Sequence, residues 1–432
     1  MKRAIVVVSV IAAFVFSICA QVGAQQAASD HPYSGDIFTR STLTGDWDGY
    51  RNKLSDLGIT FDVNATQIEQ GVVDGGKSGA WEYGGRGDLA GHLDTQKLGL
   101  WPGGFLTIEL EGNWSHSVNL NTGALLPANT SQLFPLPGGE NVALPDLSYT
   151  QFFSRYAGVF AGKLQTLTNA DTNEFAHGKG DSQFYNLAFN VNPVALVVPY
   201  STLGTGVIIL PTADPKKAIV TFSVLSATGK PSTTGFNNMN GAIFAGQGSL
   251  RTNFFGRTGH QLVGALYSNK PYTSVDQRLD FVLAQKLRKR DGSWAVYYNF
   301  DQFLYETNKE EDRGVGLFGR FGASKGDPVP VQYFYSAGVG AKGLIASRAL
   351  DQFGIGYYYS SINNPTLQVA TSTISFLRDE WGFEAYYNAA ITPWLLLTPD
   401  IQVIGPAQKK QLTNRRFIET GTVLGVRLQI LF

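Results

Sequence analysis

Charge, cysteine and uninterrupted apolar sequence are all scarce in this chain. Only 16% of its 432 residues are charged, against about 25% in soluble domains. Lys and Arg total 34, as do Asp and Glu, so there is no basic field to draw nucleic acid. A single cysteine excludes an internal disulfide framework. Beyond the N-terminal segment no stretch resembles a membrane helix. The best one, 191–210, is interrupted by Asn192, Pro193, Pro199 and Ser201, and a helix there would leave backbone groups unmet in lipid. No H-E-x-x-H, G-x-S-x-G or paired-Cys motif occurs. His31, His92, His116, His177 and His260 show no ligand spacing. The expectation is therefore no enzyme, no metal and no cofactor.

What is abundant is glycine and aromatic side chains: 49 Gly, 28 Phe, 19 Tyr and 7 Trp. That profile argues against disorder. The N-terminus reads as a signal peptide over 1–24. Lys2 and Arg3 precede an apolar run to Ala20, and Val22-Gly23-Ala24 offers small residues before a cut. A second possible cut follows Ala20. Cys19 lies in this segment, so the mature chain is expected to be Cys-free, which suits an oxidising periplasm. The signal removes two bases and leaves 32 basic against 34 acidic residues.

The rest alternates with period two between Gly, Asn, Asp and Pro breaks. In 82–94, Arg86, Asp88, His92 and Asp94 share one face, and Tyr83, Leu89 and Leu93 the other. In 105–115, Glu109, Glu111 and Asn113 alternate with Ile108, Leu110 and Trp114. The same holds for Glu384 and Tyr386 in 381–389, and for Trp394, Thr398, Asp400 and Gln402 in 394–403. In the last strand Arg427 and Gln429 oppose Leu424, Val426, Leu428, Ile430 and Phe432. One apolar and one polar face per strand is the pattern of a transmembrane barrel, all-β and antiparallel. The 408 residues after Ala24, at roughly 25 per strand plus connection, make ~16 strands around an aqueous lumen. A soluble sandwich would carry a more charged outer face. The barrel is expected over 59–432, after an N-terminal segment 25–58. The final Phe432 fits a strand read by the barrel-assembly machinery. Trp81, Trp101, Trp114, Trp294 and Trp381 read as aromatic-girdle residues at the membrane interfaces.

Three segments break the rhythm. At 44–58, Asp46 is placed to cap a short periplasmic helix, with Trp47, Tyr50, Leu54 and Leu57 on one face and Gly58 as its stop. Residues 121–147, with Pro127, Pro135, Pro137, Pro145 and Gly138-Gly139, read as a long extracellular loop. Residues 165–193 are polar, with Asn169, Asp171, Asn173, Glu174, His177, Lys179 and Asp181. Such loops either cover the mouth or fold inward. Two motifs are refused. Gly71 to Ser78 matches a phosphate loop, and Gly314 to Gly319 matches G-x-G-x-x-G, but each needs a following helix. Strand-like sequence follows both. The first reads as a turn, and the glycines of the second as thinning one barrel face.

Several ordered segments resemble the OprB-type carbohydrate-selective porins. They are Leu43-Thr44-Gly45-Asp46-Trp47-Asp48-Gly49-Tyr50-Arg51, Phe160-Ala161-Gly162-Lys163-Leu164 through Gly178, Arg313 to Gly322, and Glu384-Ala385-Tyr386-Tyr387 with Thr398-Pro399-Asp400-Ile401-Gln402. The ending Gly425-Val426-Arg427-Leu428-Gln429 also fits. The resemblance implies an outer-membrane barrel, monomer or homotrimer, that passes glucose or similar mono- and oligosaccharides into the periplasm without energy or cofactor. It leaves open a general or ion-preferring porin. A sugar needs donors, acceptors and aromatic faces. The lumen candidates are Arg86, Asp88, His92, Asp94, Glu109, Glu111, Asn113, Arg320, Glu384, Tyr386, Trp394 and Arg427, with Asn173, Glu174 and His177 from the polar loop. Charges inside pores also set ion selectivity. Arg51 is expected to be structural.

Overall fold

The computed structural model describes residues 33–133, 142–167, 173–236, 239–309, 312–411 and 416–432. The expected signal peptide lies outside the described residues. So do Pro135, Pro137, Gly138, Gly139, Asn169 and Asp171 of the two long loops.

Sixteen strands close into one barrel. They are β1 (Ile59–Gly76), β2 (Trp81–Asp94), β3 (Gly104–Ser115), β4 (Val142–Ser154), β5 (Ala157–Gln165), β6 (Ser201–Ile209), β7 (Ala218–Ser226) and β8 (Ala242–Phe254). The second half comprises β9 (Arg257–Thr273), β10 (Lys289–Asn308), β11 (Arg313–Ser324), β12 (Val331–Lys342), β13 (Gln352–Ile362), β14 (Glu380–Thr392), β15 (Leu395–Gly405) and β16 (Glu419–Leu431). Each strand pairs antiparallel with its sequence neighbours, and β1 pairs with β16 to seal the wall. Closure leaves no open edge, as a lipid-embedded sheet requires. The two ends differ. One carries short turns such as 155–156, 255–256 and 393–394, together with the N-terminal segment and Phe432. The other carries the long connections 116–141, 166–200, 274–288 and 363–379. This asymmetry matches short periplasmic turns and long extracellular loops. The Phe255-Gly256 turn has positive φ at both positions (54° and 75°), the backbone twist that a two-residue hairpin favours.

Alternation assigns the faces as the sequence requires. Leu89, Ile108, Leu110, Phe222, Val263, Val296, Ile355 and Ile401 are exposed on the outer wall. Trp81, Trp114, Trp294 and Trp381 sit outward near the extracellular ends of their strands, and Trp101 lies in the periplasmic turn after β2. Outside the mouth, Gln277–Arg278, Thr366–Val369 and Ser372–Ser375 form a small sheet beside a one-turn helix, Leu279–Leu283.

Two expectations need correction. The N-terminal helix is shorter than 44–58: α1 spans Tyr50–Asp56 and is preceded by Gly49, not capped by Asp46. Asp46 instead accepts a bond from the Ser34 hydroxyl at 2.9 Å. Trp47 and Asp48 adopt positive φ, which ends the helix early at its start. Its apolar stripe is largely solvent-facing, and the buried side chain is Arg51. Arg51 donates to the Phe432 and Phe61 carbonyls, each at 2.9 Å, and stacks over Tyr33. It is structural, as expected, and ties the N-terminal segment to the closing seam. The first long loop is also shifted. Its last residues, from Val142, already belong to β4, because the strand tolerates Pro145 at a register irregularity.

Candidate functional site in the barrel lumen

The described parts of both long loops fold into the barrel. The first, 116–141, carries α2 (Asn119–Thr122) and buries Ala128, Asn129, Thr130, Ser131 and Gln132. The second, 166–200, carries α3 (Leu187–Asn190) and buries Phe175, Phe184, Tyr185 and Phe189. Irregular backbone at membrane depth needs hydrogen-bond partners from the protein itself. The wall supplies them with both signs of charge.

Carbonyls are met by arginines. Arg86 on β2 donates to the Ser131 carbonyl at 3.2 Å. Arg320 on β11 donates to Ala176. Arg427 on β16 donates to Gly180 at 2.6 Å and Gln183 at 3.1 Å, and lies over the Tyr185 ring. Amide N–H groups are met by carboxylates. Glu384 on β14 accepts from Tyr185 and Asn186, and so holds the residues just before α3, whose N-cap is the Asn186 side chain. Glu380 accepts from Leu125, Leu126 and Ala407. Asp301 on β10 accepts from Glu174 at 3.0 Å and holds His260 at 2.8 Å. Neutral amides complete the set: Gln402 donates to Ala128, and Asn388 to Ser182.

An aromatic core fills the space between the second loop and β11–β14. Phe184 meets Phe318, Phe189 and Tyr386 with ring centroids 4.5–5.4 Å apart. Phe175 meets Phe303 at 4.8 Å. The rings seat on inward glycines. A Cβ on Gly316 or Gly340 would stand 2.4–2.5 Å from Phe175, and one on Gly356 would stand 2.5 Å from Phe189. Gly316 belongs to the refused G-x-G-x-x-G match, and here it thins the wall for a loop ring.

The deepest charge cluster joins the loop to β2 and β3. Arg86 pairs with Asp88 and Glu111, and Lys179 of the second loop pairs with Glu109 and Glu111. Tyr200 donates to Glu111. Burial and the Arg86 charge push the Lys179 ammonium down, but Glu111, Glu109 and Asp88 outweigh them and hold its pKa above the ordinary lysine value. The oxygens of Asp88, Glu109 and Glu111 lie within 4.8 Å of one another, but the two cations occupy the cluster.

The sequence candidates therefore separate by place. Arg86, Asp88, Glu111, Asn113, Arg320, Glu384, Tyr386 and Arg427 face inward, as alternation predicts, and are buried beneath the loops. Asn173 is also buried. Its side chain caps Phe175 and Ala176 and donates to the Phe300 carbonyl at 2.8 Å. Glu109, Glu174, His177, His92 and Asp94 keep partial exposure, and Glu174 pairs with Lys342 on β12. Trp394 is displaced from the lumen set. It sits in the β14–β15 turn, and its indole N–H donates to the Ile37 carbonyl at 2.6 Å.

Among the described residues, the opposite side of the wall carries less loop cover. Ser148 and Thr150 on β4, Thr221 and Ser223 on β7, and Gln247 and Ser249 on β8 face inward and remain partly exposed. These five hydroxyls and one amide are uncharged. Sequence reasoning missed them, although Thr221 and Ser223 alternate with Val220, Phe222 and Val224. It also missed Lys179, Asp301, Glu380 and Lys342 as anchors. Glu380 lies two residues before Gly382 and four before Glu384, so extending the same alternation reaches it.

A family model described as "Carbohydrate-selective porin, OprB family" matches residues 79–432. Among solved structures, the high-pH structure of Pseudomonas putida OprB aligns at TM-score 0.76 and 19% identity, over 92% of this chain and 100% of that chain. The low-pH structure of the same protein aligns at TM-score 0.56 and 18% identity, over 91% and 99%. No curated protein matches in sequence. The likeness to the solved structures is one of fold.

Proposed function

This chain belongs to the OprB family of carbohydrate-selective porins, and from that premise we propose that sugars cross it through the lane beside β4–β8. It is an outer-membrane β-barrel porin through which permeants diffuse passively. The observation that carries the lane is the contrast in exposure. The charged wall residues Arg86, Arg320, Glu380, Glu384 and Arg427 are tied to loop backbone, and Glu109, Glu111 and Lys342 to loop side chains, whereas Ser148, Thr150, Thr221, Ser223, Gln247 and Ser249 stay partly open. A neutral polyol exchanges its water hydrogen bonds for such donors and acceptors without desolvating a charge. Glu109 on β3, beside β4, and Glu174 and His177 of the second loop keep partial exposure and remain candidates for sugar contact. Arg86, Asp88, Glu111, Asn113, Asn173, Arg320, Glu384, Tyr386 and Arg427 act as positioning residues that hold the loops in the lumen.

Export follows the 1–24 signal, and assembly uses the final strand ending at Phe432. One chain encloses its own lumen, so the monomer is the conducting unit in a monomeric or homotrimeric particle. The test is single-channel conductance in a planar bilayer with glucose and then disaccharides titrated in. Saturable reduction of ion current supports the carbohydrate reading. A porin whose current falls only with solution viscosity would be the general or ion-preferring alternative.

A further inference from the structure

At the periplasmic end of the lumen lies a cavity of about 290 Å³, which meets β4 where Phe105 and Thr107 pair with Thr150 and Ser148. It is bordered by Thr60 on β1, His92 and Asp94 on β2, Phe105 and Thr107 on β3, and Lys97 in the turn that follows β2. The end of α1 at Ser55 closes one side. Its size is near the lower limit of ~300 Å³ for small-molecule pockets, the scale of one pyranose ring. Its chemistry is mixed in the way such a ring needs. Phe105 points inward, where a polar residue is the rule, yet keeps 41% of its surface exposed. Phe152 packs edge-on at 6.2 Å and holds the ring in place. Around it stand two hydroxyls, an ammonium, a carboxylate and an imidazole. Asp94 uses Oδ1 on the N–H groups of Gln96 and Lys97, which fixes the carboxylate and leaves Oδ2 without a hydrogen-bond partner among the described residues. His92 Nδ1 lies 3.3 Å from Thr107 Oγ1, and Nε2 lies 3.6 Å from Asp62, which orients the imidazole along the wall.

We propose that this cavity is a second, exit-side sugar site, which seats one pyranose ring on Phe105 with its hydroxyls between Asp94, Lys97 and the Thr60–Thr107 pair. The site rests on the carbohydrate reading of the lumen; it adjoins the β4 edge of the lane at its periplasmic end and would hold a permeant as it leaves for the periplasm. An aromatic face covers the apolar side of a sugar, and groups of both polarities meet its hydroxyls.

The test is the current-noise spectrum of single channels under glucose, for the full-length barrel and for Phe105→Ala and Lys97→Ala. Two relaxation components are expected in the parent protein. Phe105→Ala should shorten the residence of one of them by roughly threefold to tenfold, the range of an aromatic contact, and leave the other unchanged. Lys97→Ala, at an exposed side chain whose backbone bond to Asp94 is kept, should act in the same direction and keeps the test available if Phe105→Ala assembles poorly. Unchanged glucose noise in both variants, with block intact in the parent, overturns the exit site alone. Absence of any glucose effect in the parent overturns the carbohydrate reading, and the exit site with it.

Discussion

Arg427 shows how a lumen residue can serve the pore without touching a permeant. Its guanidinium meets two carbonyls of the second inward loop and the face of Tyr185. Replacing it by Leu leaves buried carbonyls unmet, at about 1–3 kcal/mol each. Arg427→Leu is expected to lower the unfolding midpoint and to raise single-channel conductance as the loop loosens. A conductance unchanged from the parent would show that the loop is held without it. The complementary anchor behaves likewise. Glu384→Ala removes the acceptor for the Tyr185 and Asn186 N–H groups, again about 1–3 kcal/mol per unmet group, whereas Glu384→Gln keeps one acceptor oxygen and should recover part of the loss. Chemical denaturation of refolded protein measures both. The residue identities here were legible from alternation, since Arg86, Arg320, Glu384 and Arg427 all face inward. Their partners were not, because a loop that returns from 45 to 247 residues away leaves no periodic trace beside the strand it touches.

At the scale of elements, the inward faces of β11–β14 depart from the polar lumen that a porin pattern suggests. Phe318, Phe334, Tyr358 and Tyr386 point inward and are buried, with Gly316, Gly340 and Gly356 between them. The inward faces of these strands mix these rings and glycines with Arg320, Glu380, Glu384 and Asn388, because they meet loops that offer both aromatic side chains and backbone polar groups. Alternation of polar and apolar residues cannot distinguish a water-filled lumen from a packed one when the packing partner is distant in sequence. A pair of valine substitutions tests the point. Gly340→Val places side-chain atoms into Phe175 and should cost about 1–3 kcal/mol through overpacking. Gly248→Val, on the lipid face of β8 with its nearest neighbour atom 3.9 Å from the added Cβ, should be near neutral. Equal destabilisation of the two, followed by tryptophan fluorescence in urea, would argue against a loop core on β12.

For the whole molecule, the seam between β1 and β16 completes the barrel, and Arg51 ties the N-terminal segment across it to Phe432. Charge-assisted bonds of this kind contribute about 1.5–3 kcal/mol, so Arg51→Ala should lower the temperature at which the folded band shifts to unfolded mobility on a semi-native gel. A shift temperature equal to the parent's would place the seam's strength in the strand pairing alone. The strand number, the antiparallel order and the lipid-facing set follow from the sequence by itself. A closed sheet between lipid and water imposes period two on every strand, and that period can be read locally. Segment 121–147 was legible as a loop and 165–193 as a break in the strand rhythm, from their prolines and polar runs. Their path into the lumen, the glycine seats beneath their rings and the partial exposure of the polar inward residues on β4, β7 and β8 were decided only by the tertiary structure. The physical reason is that each inward loop is held by backbone groups meeting wall side chains far away in sequence, and backbone carbonyls and amides are the same at every residue.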